Sequence, residues 1–136
     1  EKSFVIFRLP GFSRNLRKEV TKSSRYFFYD VGIRNAVVGM FNPLSLRDDT
    51  GKLWENYIIC EFLKSREYQR LSSTFYFWRT YDRKDIDLIE DAGGNLSGYE
   101  IKWSVRRVKA PSDWRKHYPE ASFDVVSRED YLDFVS

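Results

Sequence analysis

The period at which apolar residues recur changes along this chain, and the changes mark out its elements. From Leu53 to Arg66 the apolar positions Trp54, Tyr57, Ile58, Phe62 and Leu63 return every three or four residues, the spacing of one helix face. Asp48, Asp49 and Thr50 stand before them as N-caps, so a helix is predicted to start there and to end near Arg66. From Ser73 the period drops to two. Phe75-Tyr76-Phe77-Trp78-Arg79, Asp85-Ile86-Asp87-Leu88-Ile89 and Tyr99-Glu100-Ile101-Lys102-Trp103 read as three strands of a meander, with Gly93-Gly94 as the reversal between the last two. Pro111-Ser112-Asp113-Trp114 opens another helix, and Phe123-Asp124-Val125-Val126 reads as a last buried strand.

The stretch ahead of these elements is less regular. Ser3 to Leu9 reads as a strand stopped by Pro10-Gly11, and a basic stretch from Arg14 through Lys22 follows. Arg25-Tyr26-Phe27-Phe28-Tyr29 is a further strand, and Asp30 begins a short helix through Ile33, Val37 and Val38 that Asn42-Pro43 ends. We therefore expect residues 1–45 to be a lead-in segment and residues 46–136 the core. The order helix, three strands, helix, strand predicts an α/β fold with a mixed sheet flanked by helices.

Composition narrows the setting. With 136 residues the chain fits one domain, and 42% hydrophobic with 18% aromatic residues excludes a disordered segment. A formal charge of +3 permits a phosphate-rich partner without demanding one. The single cysteine, Cys60, rules out an internal disulfide and lies among apolar helix positions, where it packs as a small hydrophobe. No apolar run approaches the roughly 20 residues that cross a bilayer, and no signal-peptide pattern opens the chain, so no membrane is expected and the cytoplasm is the expected address. The chain begins with Glu1 and enters an apolar run at once, which leads us to expect a fragment whose upstream part is absent.

The chemistry concentrates in the second and third strands of the meander. If Gly93 and Gly94 are the central residues of a two-residue turn, Ala92 pairs with Asn95, Asp87 lies opposite Glu100 and Asp85 opposite Lys102. Strict alternation sends Ile86 and Leu88 one way with Tyr99, Ile101 and Trp103, and lets Asp87, Glu100 and Lys102 share the other face. Two carboxylates directly opposite repel at Cβ separations of about 5 Å, and a hard divalent cation between them relieves this. Each piece also has a plainer reading. Asp85 and Lys102 suit a cross-strand ion pair, and Glu55, in the first turns of its helix, suits the positive end of the helix dipole. The basic groups Arg14, Arg17, Lys18, Lys22, Arg25, Arg106, Arg107 and Lys109 either line a nucleic-acid groove, with Trp103 or Trp114 stacking on bases, or form a solvated face. His117 has no second histidine or cysteine at ligand spacing, so a zinc site is not expected.

A helix glutamate, a strand aspartate and a Glu-x-Lys strand in this order resemble the PD-(D/E)xK nuclease superfamily over about Leu53 to Val126. The resemblance implies a restriction-endonuclease-like fold and metal-dependent phosphodiester hydrolysis on DNA or another nucleic acid, with Mg²⁺ or Mn²⁺. By it, Glu55, Asp87, Glu100 and Lys102 are the catalytic residues, with Asp87, Glu100 and the carbonyl of Ile101 as metal ligands. Lys102 orients the attacking water or stabilises developing charge, and Glu55 acts through a water or a second metal. The motif's proline is absent, since Lys84-Asp85 precedes Ile86-Asp87.

Nearly the whole chain is also similar to the C-terminal domain of unknown function found in bacterial and archaeal AAA-type ATPases. The matching stretches are Lys22-Ser23, Tyr26 through Gly32, Leu53-Trp54-Glu55-Asn56-Tyr57, Asp85 through Ile89 and Glu100 through Trp103. This implies an upstream ATPase domain as partner. The sequence has no GxxxxGK[ST], so ATP hydrolysis by this segment alone is not expected. The alternative to a nuclease is a catalytically inactive module that binds nucleic acid or protein and regulates the attached ATPase.

Overall fold

Gly93 and Gly94 take φ of 62° and 94°, the doubly left-handed conformation that a two-residue hairpin turn requires and that glycine adopts without a Cβ penalty. The turn fixes the register on which the site depends. The structure, a computed structural model, describes residues 6–14, 19, 23–28, 50–69, 72–104 and 107–135. Strands β3 (Ser73–Arg79), β4 (Asp85–Ala92) and β5 (Asn95–Ile101) form the antiparallel meander, and β6 (Ser122–Val126) adds in parallel to β5, giving the order β3-β4-β5-β6. Strands β1 (Ile6–Pro10) and β2 (Ser24–Phe28) form a separate antiparallel pair. The chain is thus mixed α/β, with a four-stranded mixed sheet, a two-stranded sheet and helices α1 (Thr50–Tyr68), α2 (Ser112–His117) and α3 (Tyr131–Val135).

Both faces of the four-stranded sheet are covered. On one, Ile58 and Phe62 of α1 pack with Phe7, Leu9 and Phe27 of the small sheet against Phe77, Leu88 and Tyr99. On the other, Trp114 of α2 and Phe12 pack against Trp78, Ile86, Ile89 and Leu96. The small sheet reaches the large one beside β3, where Phe12 N–H donates to the Phe77 carbonyl at 2.8 Å. It is clamped to α1 by the buried Asn56, whose side-chain amide bonds both the N–H and the carbonyl of Phe28 (3.0 and 2.6 Å) and so stands in for a strand partner.

Strict alternation fails at one place, and it matters for the site. Tyr76 pairs with Ile89 but Trp78 pairs with Ile86, so Asp87 and Leu88 together oppose Phe77. This β-bulge turns consecutive side chains to the same side. Ile86 consequently packs in the α2 layer and Leu88 in the α1 layer, which corrects the expectation that the two share a face.

Other differences are smaller. The long helix runs on to Tyr68, and Thr50 is its first residue instead of its cap. Only Val126 of β6 is fully buried, because β6 is an edge strand and not the interior one that its apolar residues suggest. α3, five residues long, leaves no period to read in the sequence. The short helix expected over residues 30–38, together with Asp48 and Asp49, lies outside the described residues. No described helix is long and apolar enough to cross a membrane.

Candidate active site

The β4–β5 ladder ends at the pair Leu88–Tyr99, one step short of the two acids. Beyond it, side chains take over from backbone. Asp87 Oδ2 accepts the N–H of Ile101 at 2.8 Å, and Glu100 Oε1 accepts the N–H of Asp87 at 3.3 Å. Each acid thus holds the backbone of the strand opposite. Lys102 Nζ lies 3.6 Å from Glu100 Oε2, and the Lys102 N–H has left the hairpin to bond Val126 of β6 at 2.9 Å. Asp87, Glu100 and Lys102 therefore meet at one end of the sheet.

Glu55 arrives from the helix side. It occupies the second turn of α1, past the reach of most of the helix-dipole effect, and with Asp87 it lines two open depressions between the helix and the strand ends. Asp87 faces that way because of the bulge. Glu100 lines neither depression.

Arg25 of β2 completes the arrangement. Its guanidinium lies 3.3 Å from Asp85 Oδ2 and 3.9 Å from Asp87 Oδ1 and rests over the Phe77 ring at 4.5 Å. The expected pairing of Asp85 with Lys102 does not form: Asp85 turns to Arg25 and Lys102 to Glu100, because β5 parts from β4 at the bulge and follows β6. Arg25 appeared in the sequence only as one of many basic groups, and nothing local in Arg25-Tyr26-Phe27-Phe28 signals that it answers two aspartates sixty positions away.

The electrostatics express crowding of like charge away from water. Burial, then the charge of Asp87 and a hydrogen bond with it, push Glu100 up to about 8. Burial, then the charge of Asp87, push Glu55 up to about 7, with Arg25 and Lys102 opposing. Burial also raises Asp87, but the Ile101 N–H and the bond with Glu100 hold its charged form in place. Both carboxyls are thus raised, Glu100 by burial and also by the charge and the hydrogen bond of Asp87. Among the described residues no three histidine, cysteine, aspartate or glutamate side chains are grouped so as to hold a metal by themselves. Asp87 and Glu100 supply carboxylate oxygens, hard donors of the kind that suit a hard divalent cation.

Several residues that the sequence singles out fall elsewhere. Trp114 is fully buried against Trp78 and Phe12, so it is core and not a base-stacking surface. Trp103 lines the second depression, with its ring edge on to Trp54 and the Arg128 guanidinium above it. Arg14, Arg107 and Lys109 are exposed away from these contacts, while Arg17, Lys18, Lys22 and Arg106 lie outside the described residues. Cys60 is buried, with its thiol donating to the Phe28 carbonyl at 2.7 Å, a structural position.

A mixed α/β domain that gathers acids, a lysine and an arginine at the splayed end of its sheet is the class of protein that this fold and site define. The chain belongs to the family of the domain of unknown function DUF4143, whose model matches residues 50–129 and which is found in AAA-ATPase-associated proteins. A second model, the domain of unknown function DUF8612, matches residues 1–44. The chain is 25% identical over 112 residues to an uncharacterized protein of Mycobacterium bovis and, equally, to one of Mycobacterium tuberculosis. The match covers 81% of this chain and 24% of each relative, so the chain spans about a quarter of the length of the curated relatives it matches. No solved structure matches the chain significantly.

Proposed function

We propose that the chain is a metal-dependent phosphodiester hydrolase of the PD-(D/E)xK type, with a restriction-endonuclease-like arrangement, acting on nucleic acid as the C-terminal module of an AAA-type ATPase. The observation that carries this reading is the convergence of Asp87, Glu100 and Lys102 at the end of the β4–β5 hairpin, with Glu55 entering from α1. Two buried carboxylates whose proton affinities are both raised are a site that a cation relieves. Asp87, Glu100 and the Ile101 carbonyl would hold Mg²⁺ or Mn²⁺, which when bound lowers the pKa of a water and neutralises phosphate charge. Lys102 orients the water and opposes charge building on the phosphate. Glu55, with its raised proton affinity, is placed to hold a water or a proton beside Asp87.

One observation favours a second reading, a non-catalytic module that binds nucleic acid or protein and regulates the attached ATPase. Arg25 already supplies Asp85 and Asp87 with a positive charge. Titration calorimetry with Mg²⁺ and Mn²⁺ separates the two: the hydrolase reading expects binding in the low-millimolar range or tighter, lost in Asp87→Ala. It also expects Mn²⁺-dependent cleavage of DNA that disappears in Lys102→Ala. Metal binding without cleavage leaves the regulatory module, and no metal binding by the wild type sinks the hydrolase.

A further inference from the structure

Glu55 and Asp87 do not sit at the bottom of a closed pocket. They stand on a saddle between two open depressions of about 480 and 400 Å³, and with Lys52 they are the residues that both depressions share. The first runs out along β2 past Tyr26, which is 60% exposed. The second runs out past Lys102 to Trp103 and Ser104. Each lobe is of a size that takes a small ligand, on the order of 300–1,000 Å³. Tyr26, Phe27 and Phe28 line the first and Trp103 the second, with Lys52 common to both and Lys102 in the second.

A site at a dead end acts on chain termini, whereas one on a saddle admits a polymer that enters on one side and leaves on the other. Resting on the hydrolase reading, we propose that the groove receives an interior stretch of single-stranded nucleic acid. Tyr26 and Trp103 take unpaired bases on opposite sides of the acids, and Lys52 anchors the phosphate between them. Unpaired bases present the π-faces that such rings stack on, and the Arg128 guanidinium over Trp103 extends that platform. Cleavage at this position is internal, with water entering the phosphodiester bond and two chain fragments leaving.

The test is binding of a closed circular single-stranded DNA oligonucleotide and its linear counterpart, read by fluorescence anisotropy of an internal dye with Ca²⁺ as the cation, and repeated with RNA of the same sequence. The circle is expected to bind as tightly as the linear strand. Tyr26→Ala and Trp103→Ala are each expected to weaken both by roughly 5- to 100-fold, the range of single-base stacking. Because Trp103 also packs on Trp54, Trp103→Phe, which keeps a ring, serves as the control and should restore most of the affinity. A circle that fails to bind while the linear strand binds overturns the proposal and makes this a chain-end site, with the hydrolase reading untouched. Equal binding of both forms in Ca²⁺, with no cut product of either when Mn²⁺ replaces it, does the reverse: the groove stands and the hydrolase falls. Tyr26 and Trp103 variants that bind like the wild type also overturn it.

Discussion

Glu100 is only 9% exposed and binds a proton far more tightly than a free glutamate. A carboxyl whose pKa rises on folding from 4.5 to about 8 favours the folded state while protonated. Its contribution is fully present below pH 4.5 and is lost as pH rises toward 8. Glu100→Gln keeps the neutral form at every pH. The metal-free variant should therefore match the wild type in melting temperature near pH 4.5 and exceed it near pH 8, as differential scanning fluorimetry across that range would show. A wild type that gains stability relative to the variant as pH rises contradicts the assigned direction. Added Mg²⁺ should narrow the gap at high pH if Asp87 and Glu100 hold the ion, since a cation replaces the proton as the relief of their repulsion.

Between elements, two polar links fix how α1 meets the sheets. Asn56 ties α1 to β2 and so determines where Arg25 stands. Asn56→Ala takes the acceptor from the Phe28 N–H, at about 1–3 kcal/mol, while the Phe28 carbonyl keeps the Cys60 thiol, and the loss should appear in urea unfolding. At the other end of α1, Arg66 makes a two-pronged bond to Glu90 of β4 (2.8 and 3.3 Å), Ser73 adds a hydroxyl at 2.7 Å, and Arg66 also reaches the Phe134 carbonyl of α3. Arg66→Met should cost about 3–5 kcal/mol by leaving Glu90 charged in the interior, and Arg66→Met with Glu90→Leu should recover most of it. If the double variant unfolds no later than the single one, the uncompensated charge is not the cause.

At the scale of the molecule, the helix and the meander were legible because each keeps one period over its length, and the glycine pair announced the hairpin register. The convergence of Asp87, Glu100 and Lys102 followed from that register. What escaped was set by contacts distant in sequence. Glu19, 1% exposed, collects donors from Trp78, Tyr118, Ser13 and the Arg14 N–H, a buried carboxylate that looks in the sequence like one more charge in a basic stretch. Tyr118 has its phenol pushed up by burial and by this bond. Arg25 was hidden in the same way, its partners lying on β4. The bulge was invisible because Ile86-Asp87-Leu88 is a well-formed alternating triplet, and only the pairing with β3 shows that one of the three is out of step.

Asp87 is the residue β4 has in excess. Remove it, and Trp78, Phe77 and Tyr76 can face Ile86, Leu88 and Ile89 one for one, every apolar group still on its present side. A chain shortened by that one amino acid should melt no lower than Asp87→Ala and, like it, take up no Mg²⁺, a comparison that calorimetry and thermal melts make directly. Relatives carrying this one-codon gap would keep the architecture and lack the acid that bonds the Ile101 N–H.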